Sequence, residues 1–262
     1  MGKPADLEQL SLWPDTMGWM DIEEHIKTNL QVVNERIAAA AARSGRNFGD
    51  IRLVVVSKAQ PLDVVQAAVA AGVRDLGENY PEEALAKMQA LDAADITWHM
   101  IGHLQSRKAR IVCEYFDWMH SLDSLRLAEK LERLLSESGR QLPVLLEFNV
   151  GGEESKSGWL AVDETAWSGL LEEIIRITQF PHLVIKGLMT MPPLTSSPDQ
   201  ARAYFRKLVK LQHYLSVQVP QADWRELSIG TTVDFEVAIE EGATIVRIGS
   251  AILGPRPAKQ RA

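Results

Sequence analysis

The sequence predicts a single (β/α)8 barrel preceded by one helix. Short β-branched or apolar runs alternate with helical patterns from residue 51 to residue 248, with no break in composition. No Gly-rich fingerprint follows the first run, where an open doubly wound sheet would carry one; the residues there are "SKAQPLD". The chain has 262 residues, 46% hydrophobic and 24% charged, enough for a sizeable core in a globular protein.

Residues 1–20 contain Gly2, Pro4, Pro14 and Gly18, show no sustained period, and read as an arm whose Trp13 and Trp19 dock on the domain or on a partner. Residues 21–262 form the barrel domain. From Asp21 to Ser44 the apolar positions Ile22, Ile26, Leu30, Val33 and Ile37 recur every three to four residues and Gly45 follows, which predicts an amphipathic helix. Strands are predicted at 51–56, 73–76, 96–101, 117–121, 143–150, 183–189, 226–229 and 244–248. Helices are predicted at 61–71, 80–91, 105–115, 124–138, 163–179, 199–217 and 231–241.

The charge balance, 28 Lys+Arg against 35 Asp+Glu for a net -7, offers no global footprint for nucleic acid. A local basic run, "QSRKAR" at 105–110, reads either as a solvated helix start or, with His103, as a contact for an acidic ligand or partner. The single Cys113 cannot form an intramolecular disulfide or a thiolate metal cluster, and no metal is expected. The first residues lack the pattern of a secretory signal, and no apolar run approaches a membrane span. A soluble cytoplasmic chain with no nucleic-acid or membrane partner is expected.

In "IRLVVVSKAQP" a lysine, Lys58, directly follows a run that reads as a buried strand. Lysine is almost never fully buried unless paired or chemically altered. Lys58 either caps the strand end and snorkels to water or, at the C-terminal end of a barrel strand, hangs a working amine into the mouth. Strand alternation puts Val54, Val56 and Lys58 on one face, with Val55 and Ser57 on the other. In the last strand, "TIVRIG", it puts Ile245, Arg247 and Gly249 together. First and last strands adjoin in a closed barrel, so Lys58 and Arg247 are expected close to each other. Arg247 then either pairs with a barrel carboxylate such as Glu147 or shares the mouth with Lys58, where two cations require an anion or an altered lysine.

Strands seven and eight end in "SIGTTVDF" and "RIGSAILG", each with Gly followed by a hydroxyl residue. The loops after these two strands form the usual phosphate site of this fold. Gly admits close approach of backbone N–H groups, and Thr231 or Thr232 stands at the N-cap of a helix over 234–240. An amine, a phosphate cradle and an arginine between them describe pyridoxal 5'-phosphate: Lys58 supplies a Schiff base, Arg247 faces the pyridine nitrogen, and the two loops hold the phosphate. His99 in the third strand either touches this cofactor or is a core histidine with its hydrogen bonds satisfied. Met189 and Met191 pack around the ring.

The motifs "VVSKAQP", "LGENY", "WHMIGHLQSRK", "FNVGGEESKSG", "GLMTMPP", "SIGTTVDFEVAI" and "VRIGSAILGPR" together resemble the pyridoxal phosphate homeostasis proteins, relatives of the alanine racemase barrel domain. The resemblance covers residues 21 to about 257. It implies a single fold-type III barrel with Lys58 carrying pyridoxal phosphate, Asn79 beside the cofactor, Thr232, Gly249 and Ser250 on the phosphate, and Arg247 at the ring nitrogen. It also implies a role in intracellular cofactor homeostasis and amino-acid balance without strong turnover. Apo-enzymes that use the cofactor are the expected partners, and a monomer the expected form. Three features depart from the family: Thr232 in place of the usual serine, Arg107 in place of asparagine, and the arm at residues 1–20. The alternatives are a racemase-like enzyme of fold type III and a Schiff-base aldolase. Arg247 speaks against the aldolase, which has no pyridine nitrogen to meet. Against the racemase, the chain is expected to end soon after the eighth strand. Its only tyrosines, Tyr80, Tyr115, Tyr204 and Tyr214, occupy no second domain of the kind that supplies the racemase's base.

Overall fold

The structure, a computed structural model, describes residues 19–91, 95–193 and 195–256, so the predicted arm, except its last two residues, and the docking of Trp13 lie outside the described residues. Eight strands run parallel and close on themselves: β1 (Arg52–Val56), β2 (Asp75–Glu78), β3 (Thr97–Met100), β4 (Trp118–Leu122), β5 (Leu142–Asn149), β7 (Leu183–Met189), β8 (Glu226–Ser228) and β9 (Ile245–Ile248). Closure comes from two pairings, β4 with β5 and β9 with β1. A two-residue strand, β6 (Trp159–Leu160), extends the outer side of β5 at Phe148 and Asn149. The helices are α1 (Trp19–Arg43), α2 (Leu62–Ala70), α3 (Pro81–Ala90), α4 (Ala109–Tyr115), α5 (Leu125–Ser138), α6 (Leu171–Ile177), α7 (Pro198–Gln218), α8 (Phe235–Glu240) and α9 (Ser250–Leu253).

Alternation along the strands divides the core in two. Val55, Leu76, Val246 and Ile248 point outward and join the large layer between sheet and helices, while Val54, Leu145, Met189 and Ile245 form a small apolar plug inside the barrel, with Trp118 against it. Each such aliphatic side chain contributes about 1.5–3 kcal/mol by leaving water. The plug is incomplete because His99, His120, Ser228 and Arg247, all buried, occupy other inward positions of β3, β4, β8 and β9. The predicted adjacency of first and last strands holds, with Val54 opposite Arg247 and Val55 opposite Ile248.

Helix α1 buries Ile26, Val33, Ile37, Ala40 and Ala41 against α2, α8 and α9, the face its periodicity predicts. Its Asn29 Nδ2 donates to the Ile252 carbonyl at 3.1 Å, and Arg36 and Arg43 pair with Glu236 and Glu240 of α8. The helix therefore braces the elements that surround the last strand.

Four elements differ from the expectation. β2 starts at Asp75 rather than residue 73 and runs to Glu78, whose buried carboxylate pairs with Lys87. The helix expected over 231–241 is only α8, since Asp234 turns its carboxylate back to the Thr231 N–H and hydroxyl at 2.6 and 2.9 Å and holds 231–234 as a turn. The helices expected at 105–115 and 163–179 each open with a 3-10 segment, Ser106–Lys108 and Glu164–Leu170.

Candidate functional site

Lys58 follows β1 in a turn closed by the Gln60 N–H donating to the Ser57 carbonyl at 3.1 Å. The next residue, Ala59, has φ +57, a left-handed conformation that costs a non-glycine residue about 1–3 kcal/mol and persists only where the surroundings impose it. Here they do: the Ala59 N–H donates to Glu83 Oε1 at 2.6 Å, and Lys87 Nζ donates to the Ser57 carbonyl at 2.7 Å. The same ammonium reaches Glu78 Oε1 and Glu83 Oε1, each at 2.7 Å, and Ser57 Oγ donates to Glu78 Oε1 at 2.8 Å. A second lysine is thus sunk below the first and fully engaged, and its hydrogen bonds fix the backbone from which Lys58 projects. In "ALAKMQ" on α3 nothing in the sequence separates Lys87 from a solvated helix lysine.

Lys58 itself is half-buried and makes no ion pair among the described residues. Burial first, then the charges of Arg256 and Arg247, hold its amine below the usual lysine range, and only Glu78 opposes them. Arg256 is a cation of the mouth that sequence reasoning left without a role, although it closes the motif "VRIGSAILGPR".

Arg247 is 4% exposed. It forms no ion pair with Glu147; its Nη1 donates to the Ser228 carbonyl and hydroxyl at 2.6 and 2.5 Å, and its Nη2 to the Thr190 carbonyl at 3.1 Å and the Met191 sulfur at 2.9 Å. Burial lowers its pKa to about 10, against the pull of Glu147 and Asp234. The guanidinium is therefore charged at neutral pH, with Nε–H and the weakly held Nη2–H left for a ligand acceptor. Glu147, inward on β5, is 7% exposed and its Oε2 has no partner among the described residues. Burial and the nearby Asp123 push its carboxyl up to about 7.

The two hydroxyl loops lie after β8 and β9. Gly230 has φ +90, and a Cβ there would stand 2.6 Å from the Ala238 Cβ, so only glycine permits the chain to pass α8 this closely. Gly249 backs onto β1, where a Cβ would meet the Val56 carbonyl oxygen at 3.1 Å. Thr231 is consumed by Asp234, which leaves Thr232, half-buried, with its hydroxyl free of protein partners among the described residues. The Ser250 and Ala251 N–H groups donate to no backbone carbonyl among the described residues.

Of the sequence-predicted residues, Lys58 and Arg247 come together as neighbours in charge, Gly249 packs on the strand that carries Lys58, and Ser250 follows it. Asn79 directly follows β2, its Oδ1 buried and without a partner among the described residues. His99 stands apart: Nε2 is 3.0 Å from Asp75 Oδ1 and Nδ1 is 3.0 Å from His120 Nε2, so both ring nitrogens are engaged inside the barrel. Lys108 pairs with Glu82, while Arg107 stays exposed and meets only Gln105 among the described residues. The orphaned Asn79 and Glu147 oxygens, the free N–H groups at Ser250 and two guanidinium groups fit an anionic ligand that also carries polar ring substituents.

The chain is thus a closed parallel barrel with an amine just past the end of its first strand and a buried arginine on its last. The family model described as alanine racemase, N-terminal domain, matches residues 24–257. A Pseudomonas aeruginosa protein named pyridoxal phosphate homeostasis protein is 40% identical over 231 residues, covering 88% of this chain and 96% of its own. Among solved structures, PipY of Synechococcus elongatus with PLP bound is 37% identical with a TM-score of 0.72, covering 85% of this chain and 100% of that one. An alanine racemase from Clostridium difficile shares the fold at a TM-score of 0.66 and 15% identity, over 91% of this chain and 59% of that one. The chain belongs to the pyridoxal phosphate homeostasis protein family.

Proposed function

We propose that this chain binds pyridoxal 5'-phosphate, held covalently by the Lys58 amine, and serves in the homeostasis of the cofactor rather than in rapid amino-acid turnover. The observation that carries the reading is a half-buried amine that makes no ion pair among the described residues, held below the usual lysine range by burial and then by two guanidinium groups, against Glu78 alone. When bound, the cofactor supplies an aldehyde with which a neutral amine condenses, losing water. Lys58 is the residue prepared for this; Lys87, donating to two carboxylates and a carbonyl, is not. Thr232, Gly249 and Ser250 hold the phosphate, Asn79 lines the ring, and Arg247 offers N–H to the ring nitrogen. His99 acts through its hydrogen bonds and not by contact. A charged arginine donating to that nitrogen leaves it without its own proton, which weakens the ring as an electron sink.

The relatives' names and the S. elongatus structure with PLP bound support the same reading. No helix among the described residues is long and apolar enough to cross a membrane, and we place the protein in the cytoplasm, a monomer that passes its cofactor to apo-enzymes. Racemase-like exchange is the second reading, and one observation favours it: the buried Glu147 carboxyl, inward on β5 with its Oε2 unpartnered among the described residues and pushed up to about 7 by burial, is able to take up or release a proton near neutral pH. The test of the primary reading is absorbance of the purified chain with pyridoxal phosphate, then borohydride reduction and peptide mapping. The pyridoxyl group should fall on Lys58; a label mainly on Lys87 or Lys156 overturns the assignment.

A further inference from the structure

A continuous line of hydrogen bonds crosses the barrel interior from mouth to base. Arg247 Nη1 donates to Ser228 Oγ at 2.5 Å; Ser228 Oγ lies 2.8 Å from His120 Nδ1; His120 Nε2 lies 3.0 Å from His99 Nδ1; and His99 Nε2 lies 3.0 Å from Asp75 Oδ1. Ser228 and both rings are fully buried. Asp75 is the first residue of β2 and so stands at the base, the end of the barrel opposite the mouth.

The chemistry of the two ends fixes the direction of every link. A guanidinium only donates and an ionised carboxylate only accepts. Burial lowers the pKa of His99 and, further, that of His120, so each ring is neutral and carries one N–H. With Asp75 accepting, His99 must hold its proton on Nε2 and present a lone pair on Nδ1. His120 must then donate from Nε2 and accept on Nδ1, and the Ser228 hydroxyl must point at His120 while its oxygen accepts from Arg247. Reversing any link sets one acceptor against another at hydrogen-bond distance. Links aligned in one sense in a low-dielectric interior strengthen each other.

We propose that Asp75, His99, His120 and Ser228 form a one-directional relay that orients the Arg247 guanidinium and supplies its counter-charge from the far end of the barrel, making Asp75 a remote positioning residue for the mouth. The relay accounts for an arginine buried on β9 without an ion pair among the described residues. The charged neighbours are compatible with it. Arg52 Nε stands 3.9 Å from Asp75 and its guanidinium lies over the Trp118 ring, Trp118 stacks on His99, and Asp117 acts on His99 from β4's leading edge.

The effect on the mouth rests on Arg247 meeting the ring nitrogen as proposed above; the relay itself does not, and the test separates the two. In the ligand-free full chain, nitrogen-15 spectra of the histidine rings, assigned through their backbone, should show both His99 and His120 neutral with the proton on Nε2. An Nδ1–H ring or an imidazolium at either position at neutral pH overturns the relay. The second arm is Asp75→Asn, a near-isosteric change at a partly exposed strand end. It should weaken pyridoxal phosphate about three- to tenfold while leaving the deaza analogue, in which carbon replaces the ring nitrogen, within about twofold of its unaltered affinity. Equal losses for both ligands, or no loss for either, overturn the positioning role. If the unaltered chain fails to bind pyridoxal phosphate, the proposed function falls and the tautomers alone decide the relay.

Discussion

At Glu147, one carboxyl connects burial, charge and pH. Its pKa rises from 4.5 to about 7 on folding, so the folded chain holds a proton there that the unfolded chain has released. Below pH 4.5 the group is neutral in both states and costs nothing; between the two values stability falls as pH rises; above about 7 the full cost, on the order of 3 kcal/mol, is present. Glu147→Gln should therefore raise stability by up to that amount at pH 8 and hardly change it at pH 4, as urea midpoints at the two pH values will show. An equal gain at both would mean that shape and not charge is responsible. The same residue marks the reach of sequence reading: a pair with Arg247 was one expectation for it, but that guanidinium turns to Ser228 and Thr190. Partner choice inside a barrel depends on side-chain directions that strand alternation alone does not resolve.

Among the elements, the strand ends and the loops after them carry the site. The Lys58 turn is held from below by α3 and β2 through Lys87, Glu78 and Glu83. Lys87→Met leaves Glu78 buried and unpaired, which should destabilise the fold by about 3–5 kcal/mol. A thermal or denaturant midpoint indistinguishable from the unaltered chain would show that the cluster is not structural. In the β8 and β9 loops, Thr232 and Ser250 offer hydroxyls on chain segments that Gly230 and Gly249 allow to pack closely. Replacing both with alanine should reduce pyridoxal phosphate affinity by about 0.5–3 kcal/mol per hydroxyl and leave unphosphorylated pyridoxal nearly unchanged, measured by titrating each ligand. Glycine followed by a hydroxyl residue is common in ordinary turns and caps; the loop motifs stood out because the pair recurs at both of the strand ends where this fold usually holds a phosphate. The true start of α8 was not readable, because Asp234 serves the turn before it, a choice between two local hydrogen-bond patterns.

The whole molecule brings the first and last strands into register, and with them the amine and the guanidinium. Binding without strong turnover has a direct test in deuterium exchange at the α-carbon of L- and D-alanine in deuterated water. Exchange should stay well below about one per second; faster exchange that Lys58→Ala abolishes, and that Glu147→Gln slows, would establish the racemase-like reading instead. The sequence by itself determined the barrel, the number of its strands, the helix before it and the strand ends after or on which Lys58 and Arg247 stand, because period, punctuation and order are local properties of a chain. Only the tertiary structure decided that Lys87 is locked beneath Lys58, that Arg256 joins the mouth, and that His99 is one link of a line from Asp75 to Arg247. Those contacts join residues from about 10 to more than 100 positions apart, and closure of the barrel, not spacing along the chain, sets which polar groups meet in its interior.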